Sequence, residues 1–135
     1  MRAVIDASAL VNSVLAGAPR RLDFELAGEV VTELHVPALC DLELTSAIRR
    51  LLRQQRITLR DASSALDDYL DLPLTRHPHD RLLRRILALR DNLTAYDAAY
   101  VALAEALDAT LVTADGGLAA AARAASTIEV LDIRM

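Results

Sequence analysis

The sequence predicts an α/β fold, in which a central, mainly parallel sheet of four to five strands lies between two layers of helices. Four short runs have the composition of strands, and they span residues 2–6, 34–37, 110–113 and 128–132. Segments with helical apolar spacing separate these runs. Strands separated by helices imply a parallel sheet that is covered on both faces, which is a three-layer α/β/α arrangement.

The N-terminal helices follow from local signals. Residues 8–16 predict a short helix that ends near Gly17, and residues 20–32 predict a second helix. Pro37 ends the next strand, because proline cannot donate to a strand ladder. From Leu39 onward the apolar spacing becomes helical again.

The middle of the chain is predicted to consist of helices, with no strand among them. Beyond the helix that starts near Leu39, a second helix spans about 58–71 with Thr58 as its N-cap, and Pro78 opens a third at the position where helices accept proline. Together these helices predict a lobe over one edge of the sheet, formed by residues 39–90.

The C-terminal part alternates helices and strands. Residues 94–107 form the clearest predicted helix, and residues 116–125 predict another helix between the last two strands. We find no repeat, low-complexity tract or interdomain linker. Residues 1–135 therefore predict a single domain, which is a length that can bury a real core.

Composition limits the classes of protein that need to be considered. The 135 residues are 53% hydrophobic and 25% charged, which excludes a disordered chain. No apolar run approaches the roughly 20 residues of a membrane span, and the strand that begins at Arg2 leads us to expect no signal peptide. The single cysteine, Cys40, has no partner for an internal disulfide, which favours a reducing cytoplasm.

The net charge of −4 argues at first against a polyanionic partner. Four acidic residues that are candidate metal ligands, however, account for this excess of negative charge. Without those four, 15 of the 19 acidic residues remain against 15 basic residues. Every basic residue is an arginine, which binds phosphate with two parallel hydrogen bonds, although codon bias explains this choice equally well.

These four acids have the placement of a divalent metal site: Asp6, Glu43, Asp97 and Asp115. Asp6 and Asp115 each end a predicted strand, and ligand sites of parallel sheets gather at the carboxyl ends of strands. Carboxylates that gather in one place repel each other, and a divalent cation relieves that repulsion. Mg²⁺ and Mn²⁺ prefer oxygen ligands. The hypothesis from these residues is a metal-dependent phosphodiesterase.

Each of these acids also has an ordinary structural explanation. Asp6 is suited to cap the following helix, unless Ser8 takes that role and frees it. Asp97 follows Thr94 at the spacing of a capping box, and Asp115 begins an Asp-Gly turn or caps the next helix.

Glu43 lies at the edge of the apolar stripe of its helix, where an unpaired carboxylate is costly. A salt bridge to an arginine, or exposure to solvent, would explain it equally well. Asp41 competes on the same helix, but it points away from Glu43 and is expected to face solvent near the helix N-terminus.

Taken together, the acids and their neighbours resemble the PIN-domain ribonucleases, and in size and detail the VapC toxins of toxin–antitoxin pairs. The resemblance extends over essentially the whole chain. The motifs that carry it are Asp6-Ala-Ser8, Leu42-Glu-Leu-Thr-Ser-Ala-Ile48, Thr94-Ala-Tyr-Asp-Ala-Ala-Tyr-Val-Ala-Leu-Ala-Glu105 and Leu111-Val-Thr-Ala-Asp115. The third of these is the most specific.

The resemblance implies a role for each matching residue. Asp6 and Asp97 would bind Mg²⁺ directly, with Mn²⁺ as an alternative, while Glu43 and Asp115 would act directly or through water. Ser8 and Thr113 would be supporting residues; they match small polar positions that line the site in this family. The Gly116-Gly117 pair departs from the basic or acidic residue that follows the fourth acid in many relatives.

The resemblance also implies an activity and partners. We expect an endoribonuclease toxin that hydrolyses RNA, with tRNA as the first choice of substrate, and that leaves a 3′-hydroxyl and a 5′-phosphate. It would act in the cytoplasm as a homodimer, and a VapB-like antitoxin would inhibit it.

Arginines recur along the Glu43 helix and beyond it, at Arg49, Arg53 and Arg56. A solvated helix face explains them, and contacts to RNA or to an antitoxin are the sharper interpretation. Outside this helix, His77 and His79 have the spacing of a metal pair, but the proline between them favours a helix start.

Two other classes of protein share the predicted fold. A receiver-type signalling domain also has strand-end acids, but it needs a lysine and this chain has none. A haloacid-dehalogenase-type phosphatase needs Asp-x-Asp at the first strand, where Ser8 occupies the second acidic position. An inactive PIN scaffold that only binds partners remains as the third alternative.

Overall fold

A computed structural model of the chain describes residues 1–16, 25–26 and 29–134. In chain order its strands are β1 (Arg2–Ile5), β2 (Glu25–Leu26), β3 (Glu29–Val30), β4 (Glu33–Pro37), β5 (Leu74–His77), β6 (Thr110–Thr113) and β7 (Val130–Asp132). Its helices are α1 (Ala7–Leu15), α2 (Cys40–Arg53), α3 (Leu59–Asp71), α4 (Leu83–Ala88), α5 (Ala95–Leu107) and α6 (Gly116–Ala125). A 3₁₀ turn, Asp80–Leu82, precedes α4.

Five of the strands form one parallel sheet in the order β5-β4-β1-β6-β7. The central strand β1 is buried from Ala3 to Ile5. Ile5 pairs with Val112, and the backbone N–H of Asp6 continues the ladder by donating to the carbonyl of Val112 at 3.0 Å. The carboxyl ends of β1 and β6 therefore lie side by side, where the sequence places two of the four acids.

Helices cover this sheet in the predicted α/β/α arrangement. Helices α1, α2 and α3 pack on one another, while α4 packs on α5, which lies against β1 and β4. The middle of α5, residues 98–104, is buried on every side, as expected for a helix without a polar face. Alanines in this part of α5 have small side chains that suit a helix packed against the sheet. Asp108, which follows the last residue of α5, adopts the left-handed conformation with φ of 50°.

Most predicted elements are present within a few residues of their expected bounds, but two predictions are wrong. Residues 25–26 and 29–30 form a short antiparallel pair of strands rather than part of a helix over 20–32; the rest of that range lies outside the described residues. Residues 39–90 are not entirely helical, because Leu74–His77 form the edge strand β5. This strand carries the exposed Thr75 and Arg76, so it lacks the apolar pattern by which the other strands are found.

Within the described residues, no helix has the length and apolar character needed to cross a lipid bilayer.

Candidate active site

All four predicted acids line one cavity of about 750 Å³ at the carboxyl end of the sheet. They come from four separate places in the chain: Asp6 follows β1, Glu43 lies on α2, Asp97 lies in the first turn of α5, and Asp115 follows β6. The fold brings together residues that are up to 109 positions apart in the sequence.

Asp6 is held at the junction of β1 and α1. It is only 6% exposed and is the N-cap of α1, where its Oδ1 accepts a hydrogen bond from the backbone N–H of Ala9 at 3.3 Å. The hydroxyl of Ser8 donates to the same oxygen at 2.7 Å. The alternative in which Ser8 caps the helix and leaves Asp6 free is therefore wrong, because Asp6 itself is the cap.

Ser8 and Thr113 connect the ends of β1 and β6. The Ser8 hydroxyl accepts from the backbone N–H of Ala114 at 3.1 Å, and the fully buried Thr113 hydroxyl accepts from that of Asp115 at 2.9 Å. The two hydroxyl oxygens lie 3.4 Å apart. These contacts fix the relative positions of the two strand-end acids.

Asp115 is the most exposed of the four acids and caps α6. Its Oδ1 accepts from the backbone N–H of Gly117 at 2.8 Å and of Leu118 at 3.2 Å. In both Asp6 and Asp115 the capping bonds fall on Oδ1, so capping does not use Oδ2. The ordinary explanation for these residues and a metal-binding role are thus compatible in the same side chain.

Glu43 and Asp97 complete the set from two helices. The Glu43 carboxylate accepts from the hydroxyl of Tyr100 at 2.7 Å, and Tyr100 is only 1% exposed. Among the described residues no arginine forms a salt bridge with Glu43, and the side chain is half-buried rather than simply exposed. Tyr100 was missed in the sequence, although its position three residues after Asp97 places both on one face of α5. Thr94 caps α5 as predicted, since its hydroxyl accepts from the N–H of Asp97 at 3.1 Å.

The carboxylates influence one another electrostatically. Burial raises the pKa values of Asp6, Glu43 and Asp97 above their usual range. Charge repulsion adds to this rise: Asp115 acts on both Asp6 and Asp97, while Asp97 and Asp6 act on Glu43. The hydroxyls of Ser8 and Tyr100 oppose the rise at Asp6 and Glu43. Asp6, Glu43 and Asp97 are therefore each destabilised in the charged form by at least one other acid of the cavity.

Asp41 does not line this cavity, in agreement with its predicted separation from Glu43. It does not simply face solvent, however. Its Oδ1 accepts from the hydroxyl of Tyr69 at 2.6 Å, and it forms a salt bridge with Arg76 at 2.9 Å. Asp41 is thus a structural acid that ties α2 to α3 and β5.

The three arginines predicted to contact RNA or an antitoxin differ in their position relative to the cavity. Arg56 lines the cavity together with Arg50, Asn12 and Gln54, whereas Arg49 and Arg53 do not. Helix geometry gives the reason: Arg50 lies within about 20° of Glu43 around α2, while Arg53 and Arg49 are turned away by about 80° and 120°. The spacing of seven residues from Glu43 to Arg50 was the signal in the sequence.

The histidines and the cysteine have local roles. His35 Nδ1 and His77 Nε2 lie 2.8 Å apart, while Nε2 of His79 accepts from the backbone N–H of Leu39 at 3.0 Å. His77 and His79 therefore have different partners, in line with the rejection of a metal pair. Burial raises the pKa of the Cys40 thiol to about 11, so the thiol is protonated and unreactive.

Comparison with known proteins decides the family. A family model described as PIN domain matches residues 3–124. The chain belongs to the PIN domain family. Ribonuclease VapC9 of Mycobacterium tuberculosis is 44% identical over 129 residues, which are 95% of this chain and 97% of that protein. Ribonuclease VapC1 of the same organism is 41% identical over 120 residues, 87% of this chain and 89% of that protein.

The solved structures agree on the fold. The structure of VapBC2 from Rickettsia felis, bound to a DNA fragment from their promoter, has a TM-score of 0.68 at 15% identity and covers 98% of each chain. That of Mycobacterium tuberculosis VapC20, described as a sarcin-ricin loop cleaving toxin, has a TM-score of 0.64 at 16% identity. It covers 88% of this chain and 94% of that chain. Within the PIN family, the sequence identities place this chain among the VapC ribonucleases.

The acids of this PIN domain fit a hard divalent cation in chemistry, since all four offer carboxylate oxygens and the described residues that line the cavity include no histidine or cysteine. Among the residues that the structure describes, no three acids, histidines or cysteines are already grouped as a ligand set. Mg²⁺ does not need such a set, because it keeps several waters and binds through one or two carboxylates together with substrate phosphates.

Proposed function

We propose that this VapC-type PIN domain is a Mg²⁺-dependent endoribonuclease, with Mn²⁺ as an alternative ion. It would hydrolyse phosphodiester bonds of RNA and leave a 3′-hydroxyl and a 5′-phosphate. The observation that carries the proposal is the single cavity into which four distant carboxylates converge, three of them with raised pKa values. Membership of the VapC ribonucleases supports the same reaction.

The roles of the residues follow from their surroundings. We assign Asp6 and Asp97 as direct ligands, and Glu43 and Asp115 as ligands that act directly or through water. When bound, Mg²⁺ supplies Lewis acidity to the phosphate and lowers the pKa of the attacking water. The Glu43 carboxylate lines the same cavity and would accept a proton from that water when it acts through water rather than as a direct ligand. Tyr100 positions Glu43 for this step.

The test is cleavage of a labelled RNA by the purified protein in Mg²⁺, in EDTA, and after Mg²⁺ is restored. We expect cleavage to stop in EDTA and to return with Mg²⁺. The Asp6→Asn and Asp97→Asn variants should be inactive while they keep the circular dichroism spectrum of the wild type. Asp67→Asn, which changes an exposed acid of α3 outside the cavity, is the matched control and should cleave normally.

Full activity in either Asp6→Asn or Asp97→Asn would overturn the assignment of these acids. A folded wild-type protein that cuts no RNA in Mg²⁺ or Mn²⁺ would favour the inactive scaffold instead. The receiver-type alternative has no support in the chain, because no lysine is present.

We propose tRNA as the first candidate substrate, so that cleavage would inhibit translation. Ribosomal RNA is the second candidate, since VapC20 is described as a sarcin-ricin loop cleaving toxin. Sequencing of RNA 5′ ends after induction of the protein in cells would identify the substrate. A cluster of new ends in tRNA anticodon or other loops is the expected result, and ends restricted to ribosomal RNA would replace tRNA by the second candidate.

We further propose a homodimer that is inhibited by a VapB-like antitoxin, with the complex in the cytoplasm. The similarity to VapC ribonucleases and to the VapBC2 structure supports a partner of this kind. Light scattering after size-exclusion chromatography measures the mass of the protein alone, for which we expect twice the 14.7 kDa of one chain. We expect a short reading frame for the antitoxin next to the gene, and co-expression with its product should give a stable complex that does not cleave RNA.

A further inference from the structure

The cavity has a second group of polar side chains besides its acids. We call Asn12, Arg50, Gln54 and Arg56 the polar wall. Asn12 comes from α1, Arg50 and Gln54 come from the last turns of α2 or just after it, and Arg56 follows in the connection to α3. All four are exposed, whereas Asp6 in the same cavity is buried.

The polar wall lies at a distance from the acids that is set by α2. Arg50 is seven residues beyond Glu43, which corresponds to about 10 Å along a helix axis. Arg50 and Gln54 lie on the same side of the helix as Glu43, because the separations of seven and eleven residues are close to whole numbers of turns. The cavity therefore extends from the carboxylates along one face of α2.

The arginines of the polar wall do not neutralise the acids. In the described part of the chain, the arginines that form salt bridges are Arg2, Arg76, Arg85 and Arg134. Arg50 and Arg56 form no salt bridge with any described residue, although four carboxylates line the same cavity. No described carboxylate therefore competes with an anion that enters the cavity, and two parallel hydrogen bonds to a phosphate are the preferred contact of a guanidinium group.

The amide side chains of the polar wall can form hydrogen bonds with a base. Asn12 and Gln54 each present a carbonyl acceptor and an NH₂ donor, which match the hydrogen-bonding edges of a base. Among the described residues that line the cavity, the aromatic side chain is that of Tyr100, which is 1% exposed and so offers no open face for stacking. The polar wall itself therefore recognises a nucleotide by charge and hydrogen bonds.

We propose that the polar wall binds the RNA nucleotides next to the scissile phosphate and sets the cleavage-site preference. Arg50 and Arg56 hold a neighbouring phosphate, and the amides of Asn12 and Gln54 bond to the edge of a base. This inference rests on the proposed ribonuclease function and adds substrate-positioning residues to it.

The arginines are tested with Arg50→Ala and Arg56→Ala, against Arg49→Ala and Arg53→Ala as matched controls from the same stretch of chain. Loss of a phosphate contact should raise KM on the order of tenfold, with a smaller change in kcat, and should lower the slope of log KM against log salt by about 1. The two controls, which do not line the cavity, should leave KM and the salt slope close to those of the wild type.

The amides are tested by sequencing the cut sites that Asn12→Ala and Gln54→Ala produce in a random-sequence RNA pool. We expect the nucleotide preference at one position beside the cut to relax. Gln55→Gly is the matched control: it removes the neighbouring amide at a residue with φ of 57°, a conformation that glycine adopts without strain. This variant should keep the wild-type preference.

The outcomes separate the inference from the function on which it rests. A wild-type protein that cuts no RNA would overturn both. If the wild type cuts RNA while all four polar-wall variants keep its KM, salt slope and cut sites, only the inference fails. Variants that lose inhibition by the antitoxin but cut RNA as the wild type does would overturn it in favour of a protein-binding surface. Thermal melts of each variant exclude misfolding as the cause of a change.

Discussion

Removal of the Tyr100 hydroxyl tests whether this residue stabilises the fold and lowers the pKa of Glu43. In Tyr100→Phe, Glu43 loses a 2.7 Å hydrogen bond from a side chain that is 1% exposed. Hydrogen bonds to charged groups contribute about 1.5–3 kcal/mol. Glu43 is half-buried, so water replaces part of the loss, and we expect the free energy of unfolding to fall by about 1–2 kcal/mol. For a chain of this size the melting temperature should fall by roughly 3–8 °C.

The same substitution should change the pH dependence of RNA cleavage. The Tyr100 hydroxyl lowers the pKa of Glu43, against the larger effect of burial, which raises it. Its loss raises that pKa further, so the acid limb of the pH–rate profile should move to higher pH. The assay is single-turnover cleavage of a short RNA in saturating Mg²⁺ over a series of buffers, combined with urea denaturation of the same samples.

Tyr69→Phe is the matched control. Its hydroxyl donates to Asp41 at 2.6 Å and the residue is 2% exposed, but neither residue lines the cavity. We expect a similar loss of stability and no shift of the pH–rate profile. Equal shifts in both variants, or no shift in Tyr100→Phe despite its loss of stability, would refute the proposed effect on Glu43.

Three further predictions concern the raised pKa of Asp97, the lowered pKa of His77 and the hydrogen bonds of Ser8. The pKa of Asp97 is raised in the folded protein, so its contribution to stability is present below the unfolded-state pKa and is lost as the pH rises through the folded-state pKa. The Asp97→Asn variant should therefore have a higher melting temperature than the wild type at pH 7 without Mg²⁺, but not in acid. Equal melting temperatures at pH 7 would contradict this. Burial and the charge of His35 lower the pKa of His77, so urea titrations should show stability falling as the pH drops below about 6.5, with a smaller fall in His77→Gln. Ser8→Ala removes the bond to Asp6 and an acceptor for a backbone N–H, and should lower the free energy of unfolding by about 1–2 kcal/mol and slow cleavage.

The positions of Asp6 and Asp115 were predictable because both residues directly follow strands that the sequence pattern predicts. Parallel strands place their carboxyl ends at one edge of the sheet, so Asp6 and Asp115 had to lie there once both strands were recognised. The pairing of β1 with β6 is a long-range contact, and the sequence alone does not specify it. The capping roles of these acids were predicted as competing explanations, and the structure shows that each carboxylate caps a helix with one oxygen while it lines the cavity.

What the sequence did not reveal depends on tertiary packing. The edge strand β5 has exposed polar residues, and its pairing with β4, not an apolar pattern, makes it a strand. Tyr100 contacts Glu43 only because α2 and α5 meet at the end of the sheet. Arg50 lines the cavity and Arg49 and Arg53 do not, because of their different angular positions around α2 relative to Glu43. The repeated occurrence of arginines along the helix does not by itself predict this difference.

The account depends on one central claim, that the converging carboxylates bind a divalent cation. A crystal structure of the protein soaked in Mn²⁺, with anomalous difference density, tests it most directly. We expect a peak in the cavity about 2.1 Å from carboxylate oxygens of Asp6 and Asp97, and no such peak in Asp97→Asn. A fully active, Mn²⁺-soaked protein without an anomalous peak among Asp6, Glu43, Asp97 and Asp115 would contradict the claim.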